Sequence, residues 1–429
     1  MQRHRLIVMA MLALGVASCS TDKNFYEPYL SFEERLEQQE KNGVKVKAAA
    51  LGREESAAVF GVPLNDVGVQ PIFLHVSNSL STPHLLFPIA SDPDYFPPYE
   101  VARRASTLLS SSRTTEEIYD DLAAKLISHT ILPGSTHEGF LFTHSDEGMK
   151  AFVVEIQGVG TTNQFHFVVL VPGFPSDYFA IDTELLNSHS EVPDLDEDQL
   201  QTWLQQVPCC THNNQGKSGD PINIAFVGTL EQVREALIGR HWDVTAPVTQ
   251  ASLRALVSAF LFGSRYRYAP ISSLYVMDRE HDLAFQKARS IIDERIHLRL
   301  WLASVQHQGR PVWIGQISRD IGVKLSGKFW PPTTHVIDPD VDDARFYLLQ
   351  DIMDGEQVAK FGYTTGVTPS TVFEPAFNAE NDPYFTDGLR IVFILVQDGE
   401  TAPNARLLQW AYPAKLQPFA EALFGAKAK

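Results

Sequence analysis

The sequence predicts two domains, an N-terminal all-β sandwich with a helical insertion and a C-terminal α+β domain with a mostly antiparallel sheet. Three observations lead to this prediction. Residues 44–185 contain short stretches of alternating apolar and polar side chains, residues 186–218 form a polar boundary, and helices and strands are mixed beyond it. A chain of 429 residues is also long enough for two domains of ordinary size.

The first residues have the features of an exported lipoprotein. Two arginines precede a short apolar run, Leu6–Gly15, which is followed by Val16-Ala17-Ser18-Cys19. This order is typical of a signal peptide, and the run is shorter than the ~20 residues that a transmembrane helix needs. The residues around Cys19 resemble a bacterial lipobox, which implies cleavage after residues 1–18 and acylation of the cysteine. The alternative is an ordinary cleaved signal peptide in which Cys19 is incidental.

These features predict where the protein is found. A lipid on Cys19 would anchor the chain to a membrane, because each buried methylene contributes ~0.8 kcal/mol to binding. Ser20 follows the cysteine, and no aspartate stands there to favour retention at the inner membrane. We therefore expect a protein of the bacterial cell envelope that is anchored in the outer membrane and faces the periplasm.

The charge of the chain argues against one class of partner. The formal net charge is -17, because 52 acidic side chains outnumber 35 lysines and arginines. A chain of this charge repels phosphate backbones. We therefore expect no nucleic-acid partner.

The cysteines give a separate expectation. Apart from Cys19, the chain holds only the neighbours Cys209 and Cys210. A disulfide between adjacent residues closes a small strained ring, so we expect two thiols instead. His212 is near enough in sequence to leave a metal site as an alternative.

The N-terminal half is predicted as follows. Residues 19–43 are a polar tether in which Phe32–Lys41 has the composition of a short helix that ends near Asn42-Gly43. The sandwich covers residues 44–185, and Thr114 caps the helical insertion. The predicted strands contain Val44–Lys47, Gln70–Asn78, Gly139–Thr143, Ala151–Gln157 and Gln164–Val171.

The C-terminal half begins with an acidic linker over residues 186–205. The α+β domain follows over residues 206–400, and residues 401–429 form a tail with a short helix. A strand, Ile222–Val227, leads into a helix that Thr229 caps. Further predicted elements are a helix from Thr249 or Ser252 to Phe262, a hairpin of Ile296–Val305 with Pro311–Ile317, a strand at Thr334–Ile337, a helix from about Pro339 to Met353, and a strand at Leu389–Val396.

Many separated segments of this half share one family resemblance. The segments are Pro208-Cys209-Cys210, Gly219–Asn223, Ala269–Tyr275, Asp282–Lys287, His297–Trp301, Gly309–Gly315, Thr334–Asp342 and Tyr384–Gly388. Together they resemble the C-terminal domain of the LssY proteins. The resemblance covers about residues 205–398 and implies an envelope context without implying a particular reaction.

One predicted strand carries a candidate binding face. Alternation places His297, Arg299 and Trp301 on one face and the intervening leucines on the other. A guanidinium pairs with phosphate or carboxylate, and an indole offers a stacking plane, so this face suits an anionic or sugar-like ligand. The alternative is a sheet face whose amphipathic side chains pack beneath a loop.

The segment from His335 to Asp343 is the densest run of possible metal ligands. His335, Asp338 and Asp340 could bind a divalent cation, which would activate a water for hydrolysis. The alternative is a helix start, with Asp338 as the N-cap and Pro339 as the first helical residue.

Two functional hypotheses of different class follow. The favoured one is an envelope protein that binds a protein partner or an anionic ligand, because no nucleophile, zinc or nucleotide motif is present in the sequence. The other is a metal-assisted hydrolase of a phosphate ester or a lipid-like substrate. Its candidate catalytic residues are His297, Arg299, Asp320 and His335, and its candidate metal ligands are His335, Asp338 and Asp340.

Overall fold

The computed structural model confirms a mostly β chain with a sandwich in its N-terminal half and an α+β domain in its C-terminal half. The structure describes residues 30–108, 113–181, 192–247, 252, 267–288, 295–325, 333–397 and 402–424.

The N-terminal domain consists of two four-stranded sheets packed face to face. The strand orders are β1-β2-β3-β6 and β5-β4-β7-β8. Alternate residues of both sheets, such as Val46, Leu74, Val154 and Phe167, meet in one buried core. The strands are β1 Glu37–Lys41, β2 Val44–Ala50, β3 Val69–Asn78, β4 His84–Phe87, β5 Thr130–Ile131, β6 Thr136–His144, β7 Gly148–Gly158 and β8 Thr161–Val171.

The first strand corrects a prediction. Phe32–Lys41 was expected to contain a helix, but Glu37–Lys41 is a strand that pairs antiparallel with β2. Asn42 and Gly43 connect the two strands, with φ angles of 49° and 77°. Asn-Gly is the preferred sequence for such a two-residue turn because both positions need a left-handed backbone. The sandwich therefore begins at Glu37.

Three of the four described helices of this domain cover one face of the sandwich, and the short helix Pro88–Ser91 contacts β7 of the second sheet. The predicted helical insertion is present, and Thr114 caps it by accepting a hydrogen bond from the backbone N–H of Glu117. Its buried Ile118 and Leu122 pack with Phe60 and Val101 against the outer face of the first sheet. The helices are α1 Arg53–Phe60, α2 Pro88–Ser91, α3 Pro98–Ala105 and α4 Thr115–Ala124.

The C-terminal domain is built on a ten-stranded sheet. Its main strand order is β13-β16-β17-β18-β12-β23-β20-β24, while β9 pairs with β17 and β19 with β18. Most pairs are antiparallel, as predicted. The strands are β9 Asp194–Leu195, β10 Cys210–His212, β11 Ser218–Pro221, β12 Ile224–Val227, β13 Asp243–Val244, β14 Tyr275–Val276, β15 Arg279–Glu280, β16 Leu283–Ala288, β17 Arg295–His307, β18 Arg310–Leu325, β19 Thr333–Ile337, β20 Val358–Thr365, β21 Ala376–Phe377, β22 Pro383–Tyr384, β23 Leu389–Leu395 and β24 Arg406–Leu407.

Both faces of this sheet are buried, which explains its continuous apolar strands. On β12, Ile224 and Phe226 face one core, and Ala225 and Val227 face another. Helices α6 and α7 cover the first face, and α5 covers the second. The helices of this domain are α5 Glu197–Gln206, α6 Leu230–Ile238, α7 Val341–Asp354 and α8 Gln417–Phe424.

The described part of the expected acidic linker, residues 192–205, belongs to the C-terminal domain. Asp196 caps α5 by accepting a hydrogen bond from the backbone N–H of Gln199. The buried Leu200 and Leu204 pack against the sheet. The acids of residues 196–198 therefore lie at the start of a packed helix, where the helix dipole favours negative charge, and do not mark a flexible connection.

Other predicted elements have mixed outcomes. The hairpin of β17 and β18 turns at Gln308-Gly309 as predicted, and Thr229 caps α6. The tail contains the predicted short helix, α8. The helix expected from Thr249 or Ser252 to Phe262 lies almost wholly outside the described residues. Within the described part of the chain, no helix has the length and apolar character needed to cross a bilayer.

Candidate functional site

The predicted alternation along β17 is correct, but the face it creates is covered. Leu298 and Leu300 point into the core beneath α6 and α7. On the opposite face His297, Arg299 and Trp301 are only 7%, 5% and 1% exposed. The Trp301 indole donates a hydrogen bond to the carbonyl of Arg279 and packs in the second core. Trp301 is thus a core residue, as the alternative of packing beneath a loop predicts.

His297 forms a buried pair with Asp320. Across the hairpin His297 lies opposite Ser318, and Asp320 is two residues further along β18 on the same face. His297 Nε2 lies 2.7 Å from Asp320 Oδ2. Two of the candidate catalytic residues are therefore in direct contact.

Arg299 lies two residues after His297 on the same face of β17. Its Nε donates to the carbonyl of Ser272 at 3.1 Å, and its Nη1 donates to Gln316 Oε1 at 2.8 Å. Burial lowers the pKa of Arg299, and the negative charges of Asp220 and Asp320 oppose that effect. The guanidinium is therefore held by hydrogen bonds to neutral groups, and two carboxylates favour its charged form.

Asp220 belongs to the same group, although no local sequence pattern marks it as a site residue. Its Oδ1 accepts a hydrogen bond from Asn378 Nδ2 at 3.0 Å. Burial raises the pKa of Asp220, and Asp320 and Asp382 raise it further, against the opposing effects of Asn378 and Arg299. We call the buried set of Asp220, His297, Arg299, Gln316 and Asp320 the polar layer.

A pocket of about 360 Å³ opens beside the polar layer. Asp320 belongs to the polar layer and also lines this pocket. Three cationic side chains line the pocket, together with an aromatic ring and three apolar side chains. We call this pocket the basic pocket, and its lining residues are Lys287, Ala288, Arg295, Ile296, Arg319, Asp320, Ile321 and Tyr347.

Each cation of the basic pocket has a fixed position. Lys287 Nζ lies 2.7 Å from Asp351 Oδ2, and Arg319 Nη1 lies 2.9 Å from Asp343 Oδ2. Both cations also lie 5.6 Å from the centre of the Tyr347 ring. A guanidinium has five N–H donors, so the pairing of Arg319 through Nη1 leaves donors that a ligand can use.

Arg295 completes the cationic lining. It is buried, and its Nη1 donates to Gln286 Oε1 at 2.9 Å. Arg295 therefore adds a third cationic side chain to the lining of the pocket.

The acids of the predicted metal site accept hydrogen bonds from backbone N–H groups at the start of α7. Asp338 Oδ1 accepts a hydrogen bond from the backbone N–H of Asp340, and Asp340 Oδ1 accepts one from Asp342. The N-cap is Asp340, so the prediction of Asp338 as cap and Pro339 as first helical residue was wrong by two positions. A cap at Asp340 lets Asp338 form a turn before the helix.

His335 lies in β19, paired with Val323 of β18, and its side chain is outside the described part of the structure. Among the side chains that are described, no three His, Cys, Asp or Glu residues are grouped as metal ligands. A metal site that uses His335, Asp338 and Asp340 thus stays a prediction.

Cys209 and Cys210 are joined by a disulfide, which contradicts the expectation of two thiols. Both lie at the start of the small sheet that contains β10, and Cys210 Sγ is 3.8 Å from Tyr384 Oη. Bonded sulfurs leave no thiolate for the metal site considered with His212.

Comparison with known proteins identifies one family. The sequence model of the family described as LssY C-terminus matches residues 204–389, which confirms the resemblance of this part of the chain. All residues of the polar layer and the basic pocket fall within the matched range. No curated protein matches the chain.

Proposed function

From an LssY C-terminus domain over residues 204–389 we propose a lipid-anchored envelope protein that binds a small anionic ligand in its basic pocket. The observation that carries the proposal is the convergence of Lys287, Arg295 and Arg319 on one pocket. The signal peptide and Cys19 support the envelope location.

The charge of the whole chain makes this convergence informative. A chain of net charge -17 repels anions over most of its surface. A local cluster of three cations therefore provides a specific place where an anion is stabilised. The partly shielded position of the pocket strengthens this attraction, because water screens it less than at an open surface.

The other lining residues indicate the class of ligand. Tyr347 lies beside two of the cations, and Ile296 and Ile321 add apolar surface. Such a lining suits a phosphate or carboxylate attached to an aromatic or aliphatic group. The volume of about 360 Å³ lies within the range of small-molecule sites, at its lower end.

The proposal is tested by titrating the full chain with phenyl phosphate in a calorimeter. We expect the Arg319→Gln variant to bind at least about tenfold more weakly, because one charge-assisted contact contributes ~1.5–3 kcal/mol. The matched control is Arg53→Gln, which removes an exposed arginine that is also paired with an aspartate, in the other domain. Equal affinity in the wild type and Arg319→Gln would contradict the proposal, and so would the absence of binding to the wild type.

A second candidate function, hydrolysis of the same class of ligand, is favoured by the contact between His297 and Asp320. Asp320 lines the basic pocket and holds His297 at 2.7 Å, which is the geometry of a general base and the carboxylate that orients it. Arg299 would then stabilise the charge of the pair, and a divalent metal held by His335, Asp338 and Asp340 would activate the water.

Aryl phosphates also distinguish the binding function from the hydrolase function. We would measure release of nitrophenol from p-nitrophenyl phosphate, with and without added Mg²⁺ or Mn²⁺. Turnover that is lost in His297→Gln while phenyl phosphate still binds supports the hydrolase. Binding without turnover under every metal condition supports the binding protein.

A further inference from the structure

We infer that the turn Thr371–Glu374 inserts into the surface of a lipid bilayer and thereby orients the C-terminal domain. The inference concerns a surface outside the basic pocket and does not depend on its ligand. It shares with the proposed function only the location at a membrane.

The turn is a rigid support for two apolar side chains. The backbone N–H of Thr371 donates to the carbonyl of Glu374 at 3.2 Å, and the N–H of Glu374 donates back to the carbonyl of Thr371 at 3.1 Å. Val372 and Phe373 form the tip between these bonds. They are 63% and 95% exposed, and the nearby Phe377 is 53% exposed.

The exposure of the tip is unfavourable in water. Neither Val372 nor Phe373 has a positive φ angle, so the backbone of this turn does not call for a particular residue type. Full exposure of a phenylalanine forfeits the gain of burying it. A binding partner that covers the tip explains why apolar side chains lie there.

The size of the patch favours a bilayer over a protein. Val372, Phe373 and Phe377 expose on the order of 400 Å² together, since a phenylalanine buries roughly 150–250 Å². A stable protein interface needs roughly 800 Å² from each partner. A bilayer needs no complementary shape, and apolar side chains that penetrate the headgroup region bind it with a strength that scales with their buried apolar area.

The base of the turn is connected to the polar layer. Ser370 and Thr386 exchange two backbone hydrogen bonds, and Ala376 pairs with Tyr384 in the β21–β22 ladder. Asn378, which follows this ladder, donates to Asp220. Insertion of the tip would therefore hold the candidate site at a fixed distance from the membrane.

The test is a measurement of depth with a nitroxide spin label on the full chain. Cys19 is replaced by alanine in all samples, and Cys209 and Cys210 remain in their disulfide, so that only an introduced thiol reacts. The label is placed by Phe373→Cys or, as a control, by Val159→Cys, which is 84% exposed at a turn of the sandwich. Uncharged vesicles of phosphatidylcholine are then added, because a chain of net charge -17 would be repelled by anionic lipids.

We expect the ratio of collisions with oxygen to collisions with a nickel chelate to rise severalfold at position 373 and to stay unchanged at position 159. Oxygen concentrates in hydrocarbon and the chelate stays in water, so the ratio reports insertion. A water-like ratio at position 373, or an equal rise at both positions, would overturn the inference. Concentration-dependent immobilisation of the 373 label without vesicles would overturn it in favour of a second copy of the chain. Phenyl phosphate binding, measured without vesicles, tests the proposed function independently.

Discussion

At the scale of single residues, Asp320 is the point where two features meet. It accepts a hydrogen bond from His297 inside the polar layer and also forms part of the basic pocket. A carboxylate in this position can transmit the charge of a bound ligand to the histidine. Because both side chains are buried, we also expect the His297–Asp320 contact to stabilise the folded state.

Replacing Asp320 by alanine should lower the free energy of unfolding by about 3 kcal/mol, because it removes a buried carboxylate that is hydrogen-bonded to His297. Chemical denaturation in urea measures the change. Glu100→Ala, which breaks an exposed ion pair with Arg104, should cost less than about 1 kcal/mol. Similar losses in both variants would show that the His297–Asp320 contact adds no more than a surface pair.

Part of the candidate site could be predicted from residue types and alternation. The common face of His297 and Arg299 follows from the two-residue period of a strand. The pairing of Asp320 with His297 needs the register of the hairpin, which a turn at Gln308-Gly309 suggests but does not fix over more than ten residues. Asp220 comes from a distant strand, and no local pattern connects it to Arg299.

The basic pocket could not be predicted for the same reason. Lys287, Arg295 and Arg319 lie on three different strands, and each looks like an ordinary surface cation in its local sequence. Only the order of β16, β17 and β18 in the sheet brings them together.

At the scale of elements, Arg390 joins a helix to the central sheet. It lies on β23, is fully buried, and donates to the carbonyls of Ile222 and Pro208 at 2.7 and 3.1 Å, as well as to the carbonyl of Leu204 in α5. Burial lowers the pKa of this side chain. One side chain thus donates to three backbone carbonyls from separate parts of the domain.

Replacing Arg390 by methionine should lower the free energy of unfolding by about 3 kcal/mol or more, because each unpaired buried carbonyl costs ~1–3 kcal/mol. Arg390→Lys should recover part of the loss, since an ammonium can reach some of the three acceptors. Denaturation in guanidinium chloride measures both variants. The exposed Arg103→Met is the control, and a loss in Arg390→Met no greater than in this control would contradict the expected role.

The elements themselves were predictable where one physical signal dominated. Capping residues located α4 and α6, and apolar runs located β12 and β23. The prediction of a helix over Phe32–Lys41 failed because composition outweighed the Asn-Gly turn. The prediction of an acidic linker is wrong for residues 192–205, because the acid-rich composition outweighed the apolar Leu200 and Leu204, which occupy the buried positions of α5.

At the scale of the whole molecule, the two domains share a core and a charged contact. Met149 and Phe174 of the sandwich pack in the core beneath the C-terminal sheet. Arg267 pairs with Asp243 at 2.7 Å in its own domain and with Asp146 of the sandwich at 2.6 Å. The sequence predicted two domains but gave no sign of this joint surface, because its residues are widely separated along the chain.

The joint surface should make stability depend on pH. Burial raises the pKa of Asp243 to about 6, although Arg267 opposes the shift. An unfolded aspartate titrates near ~3.9, so the native state holds this proton more tightly and loses stability as pH rises from about 4 to about 6.

Between pH 4 and pH 7 the wild type should therefore lose on the order of 2 kcal/mol relative to Asp243→Asn, which cannot titrate. Urea denaturation of both proteins at the two pH values measures the difference. If the stability of the wild type relative to the variant stays constant or rises with pH, Asp243 does not have the raised pKa described here.

The position of β12 in the central sheet has a consequence for the order of folding. Its neighbours are β18 and the parallel strand β23, and residues 224–227 pair with residues 391–394. Synthesis proceeds from the N-terminus, so the parallel partner of β12 is made last, and long-range pairings of this kind form slowly. The sandwich can fold while the C-terminal domain is still incomplete, and the centre of the sheet closes only after residue 394 has emerged. A truncation before β23 would thus leave the apolar edge of β12 open to aggregation.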